Sequence, residues 1–363
     1  MNILHLQLSG DPGGIVTLCK AISDNSENTN YMYFLFEGGR IADSILNDGG
    51  KIYIADANRK YWRKDIQKFF TYIKKSNIDV IVNHTNCPIA CAHLIAAKKE
   101  FPHIKFIMYL HGAAEDMLPR NPLKEWVYKW YIKREVKSVN FIVAISEYVK
   151  HSCMDSFSIN ANKLVVIYNG VDTTKFSCNI GRKPHQKMEL LYVGRIIENK
   201  GIHILIQAMA LLVKEIPVHL TIVGDGSYMD EVKYLIKRLN LEDAVDLLGV
   251  RLDIPKIMRS ADYFIHPAIW NEGFGITLIE AMASGLPCIA SARGAIPEIV
   301  KDGENGFLLH DVLPEGIAKQ INYCYGILST RKYEELVKNA CNTANKFNIK
   351  NMVDKLEKLY LRK

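Results

Sequence analysis

The chain has 363 residues, more than a single hydrophobic core usually serves, so we expect two α/β domains of roughly 170 residues each. Hydrophobic residues make up 48% of the chain and charged residues 23%, and no apolar run is long enough to span a bilayer, which excludes an integral membrane protein. The formal net charge of +7 suits an anionic partner but does not distinguish a nucleotide diphosphate from an acidic lipid surface or a nucleic acid.

The N-terminal half predicts strands that alternate with helices. An apolar run at 3–6 is followed by a Gly13-Gly14 loop and a helix over 15–22, and further strands are predicted at 31–36, 80–82, 105–109, 141–144 and 164–168. Continuous apolar strands alternating with helices indicate a parallel sheet that is covered on both faces. We therefore predict one doubly wound domain over residues 1–178.

A polar, lysine-rich passage at 177–187 has no apolar period and is predicted to be a linker. The alternation then restarts, with strands predicted at 189–193, 219–223, 245–248 and 263–266, and helices at 201–214, 229–239 and 276–284. This pattern predicts a second doubly wound domain over residues 179–344. In such sheets ligands bind beyond the carboxyl ends of strands, where the Gly13-Gly14 loop and the 272–277 loop are both predicted to lie.

The eight cysteines are scattered without C-x-x-C pairs, and several lie in apolar runs where a free thiol packs as a small hydrophobe. Cys87 and Cys91 are close in sequence, and free thiols explain them better than a disulfide or a metal site. Reduced thiols are typical of the cytosol. Residues 1–8 show neither a basic leader nor a cleavage site, so we expect the protein in the cytoplasm.

The segment 267–297 carries the strongest chemical signal. Its Glu272 and Glu280 are eight residues apart around a glycine-bearing turn that leads into a helix. Such a turn directs backbone N–H groups and the positive end of the helix dipole at an anion, which is how many proteins hold phosphate. Because Glu280 can accept hydrogen bonds from ribose hydroxyls and Glu272 from those of a sugar, we predict a nucleotide-sugar site. A buried βα unit would explain the glycines but not the carboxylates.

This segment resembles the signature of retaining glycosyltransferases of family 4, in which seven residues separate two glutamates. The match covers E-G-F-G at 272–275 and E-A-M-A-S-G-L-P at 280–287, and the resemblance is strongest over 190–309 and weaker over 1–172. The chain departs from the family at G-A-I-P-E over 294–298, which leaves contacts to the donor sugar open. The resemblance implies a donor site formed by Glu272, Gly273, Phe274, Gly275, Ile276, Thr277, Leu278 and Glu280.

For the fold, the resemblance implies GT-B, an α/β architecture of two Rossmann-like doubly wound domains facing a cleft. It implies that the N-terminal domain binds the acceptor and the C-terminal domain the nucleotide-sugar. It also implies that a last helix within residues 345–363 packs back on the N-terminal domain.

A second group of candidate residues follows the strand predicted at 189–193. Arginine can bind phosphate oxygens through two parallel hydrogen bonds and lysine adds a compact charge, so Gly194-Arg195 and Lys200-Gly201 predict a diphosphate clamp. The pattern resembles the Gly-Arg and Lys-Gly element of family 4, which neutralises the leaving diphosphate. Gly224-Asp225 forms a further turn, which in the family lies near the base and ribose, although a plain tight turn explains it equally well.

The N-terminal half offers His111 and the Gly13-Gly14 loop. A lone histidine is more often a hydrogen-bonded structural residue, but the resemblance implies that His111 stabilises charge or orients the sugar near the transferred group. Paired glycines usually mark only a bend. The resemblance implies instead that the backbone of Gly13 and Gly14 approaches the donor diphosphate closely.

The segment 124–137 is basic and aromatic, with Trp126 and Trp130 one helical turn apart. This composition suits a bilayer interface with anionic headgroups, and a helix that packs its aromatic side chains on the sheet explains it equally well. If the segment contacts lipid, the protein lies on the inner face of the cell membrane and its acceptor is a lipid-linked saccharide.

The resemblance implies a retaining hexosyltransferase that moves a hexose or N-acetylhexosamine from a nucleotide-sugar, expected to be UDP-linked. The expected acceptor is a saccharide or lipid-linked saccharide in the synthesis of cell-surface polysaccharide, such as lipopolysaccharide or capsule, or of a glycoconjugate. Arg195 and Lys200 are expected to stabilise the leaving diphosphate. Because fixed cations can replace a divalent ion and no Asp-x-Asp pair follows a strand, we expect no metal or other cofactor.

Other classes of function stay open at this point. The same fold holds sugar-nucleotide epimerases and phosphorylases, because fold does not determine function. A non-enzymatic anion- or saccharide-binding protein would use the charge of +7, but the chain lacks a known nucleic-acid module and no nucleic-acid partner is expected. A dehydrogenase is disfavoured because Gly13-Gly14 does not complete the G-x-G-x-x-G pattern.

Overall fold

The computed structural model describes residues 1–11, 13–57, 62–176, 178, 181 and 183–362, without the side chains of residues 62 and 63. Its internal contacts divide the chain into two units. Unit 1 comprises Met1–Asn169 and Ile349–Lys363, and unit 2 comprises Gly170–Asn348. Part of the predicted 177–187 linker lies outside the described residues.

Within the described residues, unit 1 contains a seven-stranded parallel sheet in the order β3-β2-β1-β4-β5-β6-β7. Its strands are β1 Asn2–Ser9, β2 Thr29–Glu37, β3 Lys51–Ile54, β4 Val80–Asn83, β5 Lys105–Leu110, β6 Phe141–Ala144 and β7 Leu164–Val166. The order reverses between β1 and β4, so the carboxyl ends of these two strands flank a switch point, where ligands bind in doubly wound sheets. Strand β3 was not predicted from the sequence.

Helices cover both faces of this sheet, as right-handed crossovers between parallel strands require. They are α1 Gly14–Asp24, α2 Arg40–Asn47, α3 Trp62–Lys75, α4 Pro88–Glu100, α5 Ala114–Met117, α6 Pro122–Ser138 and α7 Glu147–Phe157. Helix α6 begins with Pro122 after Asn121, whose side chain accepts a hydrogen bond from the N–H of Lys124 and so caps the helix.

Unit 2 contains, in its described part, a six-stranded parallel sheet in the order β10-β9-β8-β11-β12-β13. Its strands are β8 Met188–Val193, β9 Val218–Val223, β10 Val245–Leu247, β11 Tyr263–His266, β12 Cys288–Ser291 and β13 Gly306–Leu309. Its helices are α8 Ile202–Leu212, α9 Met229–Arg238, α10 Ile254–Met258, α11 Ile276–Ala283, α12 Ile296–Ile299, α13 Pro314–Ile327 and α14 Arg331–Lys346. The strand order reverses between β8 and β11, which makes their carboxyl ends the switch point of this sheet.

The last helix, α15 Ile349–Leu361, belongs to unit 1. Its Glu357 carboxylate accepts hydrogen bonds from the hydroxyl of Ser26 at 2.6 Å and from the side-chain amide of Asn28 at 2.8 Å. The chain therefore returns to unit 1 at residue 349 rather than at the predicted 345, because α14 continues to Lys346.

The boundary between the units lies after Asn169 and not at the predicted residue 178. Val171 pairs with Asn348 across an isolated bridge, and Cys178 forms a disulfide with Cys341 of α14. These contacts join the residues after Asn169 to unit 2. The sequence did not predict this disulfide, whose Cα atoms are 6.3 Å apart, a separation that a disulfide spans, whereas Cys87 and Cys91 are free thiols as expected.

No helix among the described residues is apolar over a length that would carry it across a membrane.

Candidate active site

The loops that follow β8 and β11 meet because these strands are neighbours in the parallel sheet. The contact requires small residues. A Cβ at Gly201, which has a φ of +70°, would lie 2.0 Å from the carbonyl oxygen of Pro267. A Cβ at Gly294, with a φ of +58°, would lie 2.3 Å from the carbonyl oxygen of Glu272, and the next residue, Ala295, donates its N–H to the same oxygen at 2.8 Å. Gly201 therefore allows the loops after β8 and β11 to meet, and Gly294 allows the loop after β12 to hold the Glu272 backbone.

The Glu272 carboxylate is the charged centre of unit 2. Lys200 Nζ donates a hydrogen bond to Glu272 Oε1, and His266 Nε2 lies 3.2 Å from the same oxygen. The side chains of Lys200 and Glu272 are only 16% and 15% exposed. Burial by itself raises the pKa of Glu272, but the hydrogen bond and charge of His266 and the charge of Lys200 outweigh it and lower the pKa to about 2. Glu272 is thus an ionised acceptor at neutral pH.

Sequence reasoning brought Lys200 and Glu272 to one site but missed His266. This histidine is the last residue of the buried strand β11, and its ring is buried. A polar residue at the carboxyl end of a strand next to the switch point is the signal that could have identified it.

Arg195 differs from Lys200 although both follow β8. Its side chain is exposed and has no ion-pair partner among the described residues. Its carbonyl oxygen accepts a hydrogen bond from the buried Tyr192 hydroxyl at 3.0 Å, which holds the backbone of the loop. Lys200 of the predicted clamp is therefore ion-paired with Glu272, whereas the charge of Arg195 is not shared with a described carboxylate.

Helix α11 begins with an open N-terminus. Its N-cap residue, Gly275, has a φ of +107°, and no side chain caps the helix. The backbone N–H groups of Ile276 and Thr277 lie in this first turn, where the helix dipole favours an anion.

Two predicted donor contacts have other roles in the structure. Leu278 is fully buried, and its N–H donates to the carbonyl oxygen of Gly275 at 3.1 Å, so this amide is already engaged. Phe274 is also buried, and its ring packs edge-on against Phe347 with the ring centroids 5.8 Å apart. Both side chains pack within unit 2 and help to hold the turn in place.

Glu280 lies on α11, partly exposed. Burial raises the pKa of its carboxyl to about 7, and no described residue forms an ion pair with it. An acidic side chain that loses its proton near neutrality, beside an uncapped helix N-terminus, fits the ribose hydroxyls predicted as its ligands.

The Gly224-Asp225 turn joins two loops of unit 2. A Cβ at Gly224 would lie 1.9 Å from the carbonyl oxygen of Gly194, and the Ile196 N–H donates to the carbonyl oxygen of Asp225 at 2.9 Å. The exposed Asp225 carboxylate accepts the N–H of Gly226 at 2.7 Å. The close packing of this turn against Gly194 is therefore enough to explain the glycine at 224, and the turn supports the loop that carries Arg195.

In unit 1, His111 is one end of a chain of hydrogen-bonded side chains. Its Nε2 lies 2.9 Å from Nδ1 of His84, whose Nε2 lies 2.9 Å from Nδ1 of His5. His5 Nε2 in turn lies 2.9 Å from Oδ1 of Asn30. The interpretation of His111 as a lone histidine is wrong, because residues from β1, β2 and the loop after β4 are linked to it.

Burial determines the protonation state of the three histidines. It lowers the pKa of His5 to about 4 and that of His111 to about 3, and it lowers the pKa of His84 well below the ordinary value, with the neighbouring His5 and His111 adding to the effect. The three imidazoles are therefore neutral at physiological pH. His5 and His84 were missed from the sequence, although polar residues inside a buried strand and at a strand end signal them.

The Gly13-Gly14 pair opens α1. Gly13 is the N-cap, with an extended φ of −169° that any residue adopts, and no atom lies within 4 Å of a Cβ built on Gly14. The fold of unit 1 therefore does not itself require glycine at these two positions.

Helix α6 exposes the apolar side chains of Leu123, Trp126 and Trp130, which are 73%, 65% and 40% exposed. The guanidinium of Arg134 lies 4.2 Å from the centre of the Trp130 ring. The helix packs on unit 1 through its other face, with Ile132, Glu135 and Val136 buried. The alternative that both tryptophans pack on the sheet is therefore wrong.

Comparison with known proteins matches both halves of the chain. The family model described as Glycosyltransferase Family 4 matches residues 32–175, and that described as Glycosyl transferases group 1 matches residues 175–343. Spore coat protein SA of Bacillus subtilis is 30% identical over 289 residues, 73% of either chain. UDP-Gal:alpha-D-GlcNAc-diphosphoundecaprenol alpha-1,3-galactosyltransferase of Escherichia coli is 29% identical over 313 residues, 82% of this chain and 79% of its own.

Among solved structures, HepE (Alr3699) of Anabaena in complex with UDP superposes with a TM-score of 0.85 over 99% of both chains, at 23% identity. At that identity the likeness shows the fold alone. The GT-B fold and the family resemblance inferred from the sequence are confirmed.

Proposed function

The chain belongs to the group 1 glycosyltransferases, and we propose that it transfers a hexose or N-acetylhexosamine from a UDP-sugar, with retention, to a saccharide or lipid-linked acceptor. The observation that carries the proposal is the arrangement in unit 2 of the Lys200–Glu272–His266 cluster, the exposed Arg195 and the uncapped N-terminus of α11. Cations and free amides at one sheet edge suit a diphosphate, and an ionised carboxylate beside them suits sugar hydroxyls.

The relatives guide the choice of donor and acceptor. The Escherichia coli relative is named for a UDP-galactose donor and a diphosphoundecaprenol-linked acceptor, and the Anabaena neighbour binds UDP. A lipid-linked acceptor would place the reaction in the synthesis of cell-surface polysaccharide or glycoconjugate, on the inner face of the cell membrane.

We assign roles to the residues as follows. Arg195 and Lys200 stabilise the leaving diphosphate, with the N–H groups of Ile276 and Thr277. Glu280 binds the ribose hydroxyls and Glu272 those of the transferred sugar. We propose that no divalent ion is needed, because fixed cations supply the charge that the leaving group requires.

Retention can follow two routes. A carboxylate nucleophile would form a covalent glycosyl-enzyme. We favour front-face displacement, in which the acceptor oxygen bonds to the anomeric carbon on the side that the diphosphate leaves, and a diphosphate oxygen takes the acceptor proton. A covalent glycosyl-enzyme, detected by mass spectrometry after incubation with donor, would overturn this route.

The first test is a transfer assay. UDP-hexoses and UDP-N-acetylhexosamines are incubated with the protein and a polyprenyl-diphosphate-linked monosaccharide, with and without EDTA, while UDP release and product mass are followed. We expect UDP release only with acceptor, no loss with EDTA, and an anomeric coupling in the product that matches the donor. Conversion of the donor without acceptor, or a requirement for free phosphate, would instead establish an epimerase or a phosphorylase.

Donor identity is tested by thermal shift with UDP, GDP, ADP, their sugar conjugates, NAD and a short RNA. A ligand at about 100 times its dissociation constant adds roughly 2.7 kcal/mol to the stability of the folded state. We expect uridine nucleotides to stabilise the wild type and Glu280→Ala to lose the effect. Stabilisation by RNA or NAD alone would contradict the donor site.

We further propose that the exposed face of α6 binds an anionic membrane surface. Leu123, Trp126 and Trp130 provide the apolar contact, and the lysines of the segment provide the charge. The protein should sediment with phosphatidylglycerol vesicles at low salt and less with phosphatidylcholine vesicles.

A matched control is available on unit 2. Tyr234 is 55% exposed on α9, with Arg238 stacked on its ring at 5.4 Å, much as Arg134 stacks on Trp130. We expect Trp126→Ser with Trp130→Ser to abolish sedimentation and Tyr234→Ser to leave it unchanged. Equal effects of the two changes would reject α6 as the membrane surface.

A further inference from the structure

The hydrogen-bonded chain that ends at His111 has a fixed direction, and its starting point is Asn30. The side-chain Nδ2 of Asn30 donates to the backbone carbonyl oxygen of Asn28 at 3.0 Å. A carbonyl oxygen can only accept, so the amide cannot be reversed without facing two acceptors toward each other. Oδ1 of Asn30 therefore faces His5 Nε2, which must carry a proton in order to donate to it.

The direction passes from ring to ring because a neutral imidazole has one donor and one acceptor nitrogen. With its proton on Nε2, His5 accepts at Nδ1 from Nε2 of His84. His84 then accepts at Nδ1 from Nε2 of His111. The remaining nitrogen, Nδ1 of His111, has no hydrogen-bond partner among the described residues, and His111 is partly exposed whereas His5 and His84 are buried.

We infer that Asn30, His5 and His84 are positioning residues that fix His111 as the Nε2–H tautomer, with the lone pair of Nδ1 presented as a hydrogen-bond acceptor. The ligand that such an atom binds is a hydroxyl group, which donates to it. Where this hydroxyl belongs to the transferred sugar or the acceptor, the inference rests on the proposed function. The tautomer itself does not depend on that function.

The groups that pack against the chain do not supply charge to it. Cys19 of α1 lies beside His5 and His84, and Tyr109 of β5 stacks on His111 with the ring centroids 4.6 Å apart. Tyr360 of α15 lies near enough to raise the pKa of Tyr109 electrostatically. Burial raises the pKa of all three, so they stay protonated and neutral. Within the described residues, no carboxylate contributes to the pKa of the three histidines.

A metal ion is the rival explanation, because ring nitrogens of His5 and His84 and the Cys19 sulfur lie within 4.8 Å of one another. A metal needs nitrogen lone pairs and a thiolate. The hydrogen bond between His5 and His84 already uses the lone pair on His5, and burial holds the proton on Cys19. Neutral hydrogen bonding therefore accounts for these side chains without an ion.

The inference changes the role expected for His111. A neutral ring whose accessible nitrogen is an acceptor cannot stabilise negative charge on a departing diphosphate. It orients a hydroxyl instead. Of the two roles expected for His111, stabilising charge and orienting the sugar, we therefore retain only the second.

Nuclear magnetic resonance of the full-length, ligand-free protein labelled with 15N-histidine tests the tautomer directly. His111→Gln identifies the His111 signals by their loss. We expect Nε2 to be protonated and Nδ1 unprotonated between about pH 5 and pH 8. An Nδ1–H tautomer, an average of the two tautomers, a charged ring in this range, or stoichiometric zinc in the purified protein would overturn the inference.

Substitutions at His84 then test whether the tautomer of His111 matters for catalysis. A glutamine at position 84 can accept from His111 and donate to His5, whereas leucine can do neither. We expect His84→Leu to lower kcat/KM about tenfold, the worth of one hydrogen bond, and His84→Gln to retain most of the activity. Equal losses in both variants, or no loss in either, would contradict a positioning role.

The position of Asn30 provides a pH readout. Asn30→Asp keeps an acceptor for His5 and adds a negative charge, so the His111 ring should gain a proton at higher pH than in the wild type. Asn25→Asp adds the same charge on the same unit, at a residue whose side-chain amide donates to the Ala21 carbonyl oxygen and not to a histidine, and should leave the titration unchanged. Identical titrations of His111 in both variants would show that Asn30 is not coupled to His111 and would overturn the inference. Failure of the transfer assay, with the tautomer as expected, would count only against the proposed function.

Discussion

The two units build their polar centres in opposite ways. In unit 2 the centre is charged, since Glu272 is ionised between Lys200 and His266. In unit 1 the centre is neutral, since burial suppresses the charge of three imidazoles that satisfy one another by hydrogen bonds. The unit 2 centre lies at the carboxyl ends of strands beside a switch in strand order, and in unit 1 His84 and His111 follow the carboxyl ends of β4 and β5, next to the other switch. Corresponding positions of the two sheets therefore carry different chemistry.

The difference indicates which part of a substrate each unit is suited to bind. A charged centre beside an uncapped helix and a free arginine suits a diphosphate and the sugar linked to it. A neutral centre with a fixed acceptor suits hydroxyl groups without attracting the diphosphate. Both kinds of group occur in a glycosyl transfer.

The largest effect is expected from removing the charge of unit 2. Glu272→Gln keeps the shape of the side chain but leaves Lys200 and His266 without their anion. We expect kcat to fall by about 10²-fold to 10³-fold, as when one fixed electrostatic contact is removed from an active site. Steady-state kinetics with donor and acceptor measure this change. Glu242→Gln, on an exposed turn of the same unit, is the control and should retain full activity. If the two variants behave alike, the charged centre has no catalytic role.

The second prediction concerns acid. The folded-state pKa of His5 is about 4 against an ordinary 6.5, so its contribution to stability is present above about pH 6.5 and is lost as pH falls through about 4. That loss is about 3 kcal/mol for His5, because each unit of pKa shift is worth about 1.4 kcal/mol. His84 and His111 add losses of the same sign.

Glu135 of unit 1 acts with the opposite sign. Burial raises its pKa to about 7, so its stabilising contribution is greatest below its unfolded pKa and is lost as pH rises through 7. On acidification, the stability gained through Glu135 offsets the stability lost through about one of the three histidines. In unit 2 the pKa of Glu272 is about 2, and its contribution is lost only well below pH 4.5.

Hydrogen exchange measured by mass spectrometry reports the two units separately. We expect unit 1 to lose protection before unit 2 as the pH falls below about 5, and His5→Gln to remove part of the difference. Loss of protection in unit 2 first would reverse the comparison.

Much of the fold and part of the site could be predicted from the sequence. Buried parallel strands have continuous apolar sequences. For this reason the sequence predicted most strands to within two residues of their observed bounds. Strand β3 was missed because it is short and lies at the sheet edge, where K-I-Y-I is half exposed and carries little apolar signal.

The pairings in the site could not be predicted in the same way. Lys200 and Glu272 are 72 residues apart, and Cys178 and Cys341 are 163 apart, so no spacing in the sequence joins them. The sequence assigned Glu272 and Lys200 to one donor site without predicting their ion pair, and it identified His111 without its hydrogen-bond partners. Sheet order brings Lys200 to Glu272, because the neighbouring strands β8 and β11 end at the same edge, and it brings His84 after β4 to His111 after β5. The register of β1 against β4 places His5 next to this edge, whereas His266 lies only six residues before Glu272.

A smaller effect is expected from the pH dependence of donor binding. Burial raises the pKa of Glu280 to about 7, and ribose hydroxyls bind best to the ionised carboxylate. Below pH 7 the proton must leave before the nucleotide binds, so the dissociation constant for UDP should rise up to about tenfold per pH unit. Titration calorimetry between about pH 5.5 and pH 8 measures it. Glu280→Gln should bind weakly with no such slope; a slope that persists in this variant would assign the titration to another group.

The smallest effect, with opposite signs in the two units, is expected at glycines. Gly14→Ala meets no neighbour within 4 Å at the start of α1, so the free energy of unfolding should rise by about 0.5 kcal/mol as the unfolded chain loses freedom. Gly294→Ala places a methyl group 2.3 Å from the Glu272 carbonyl oxygen at a φ of +58°, so stability should fall by more than about 1 kcal/mol. Urea unfolding measures both changes.

If Gly14→Ala raises stability yet weakens UDP binding, the loop before α1 approaches the donor, because the fold alone has no need of that glycine. If it raises stability and leaves both binding and kcat intact, Gly14 has no part in the site.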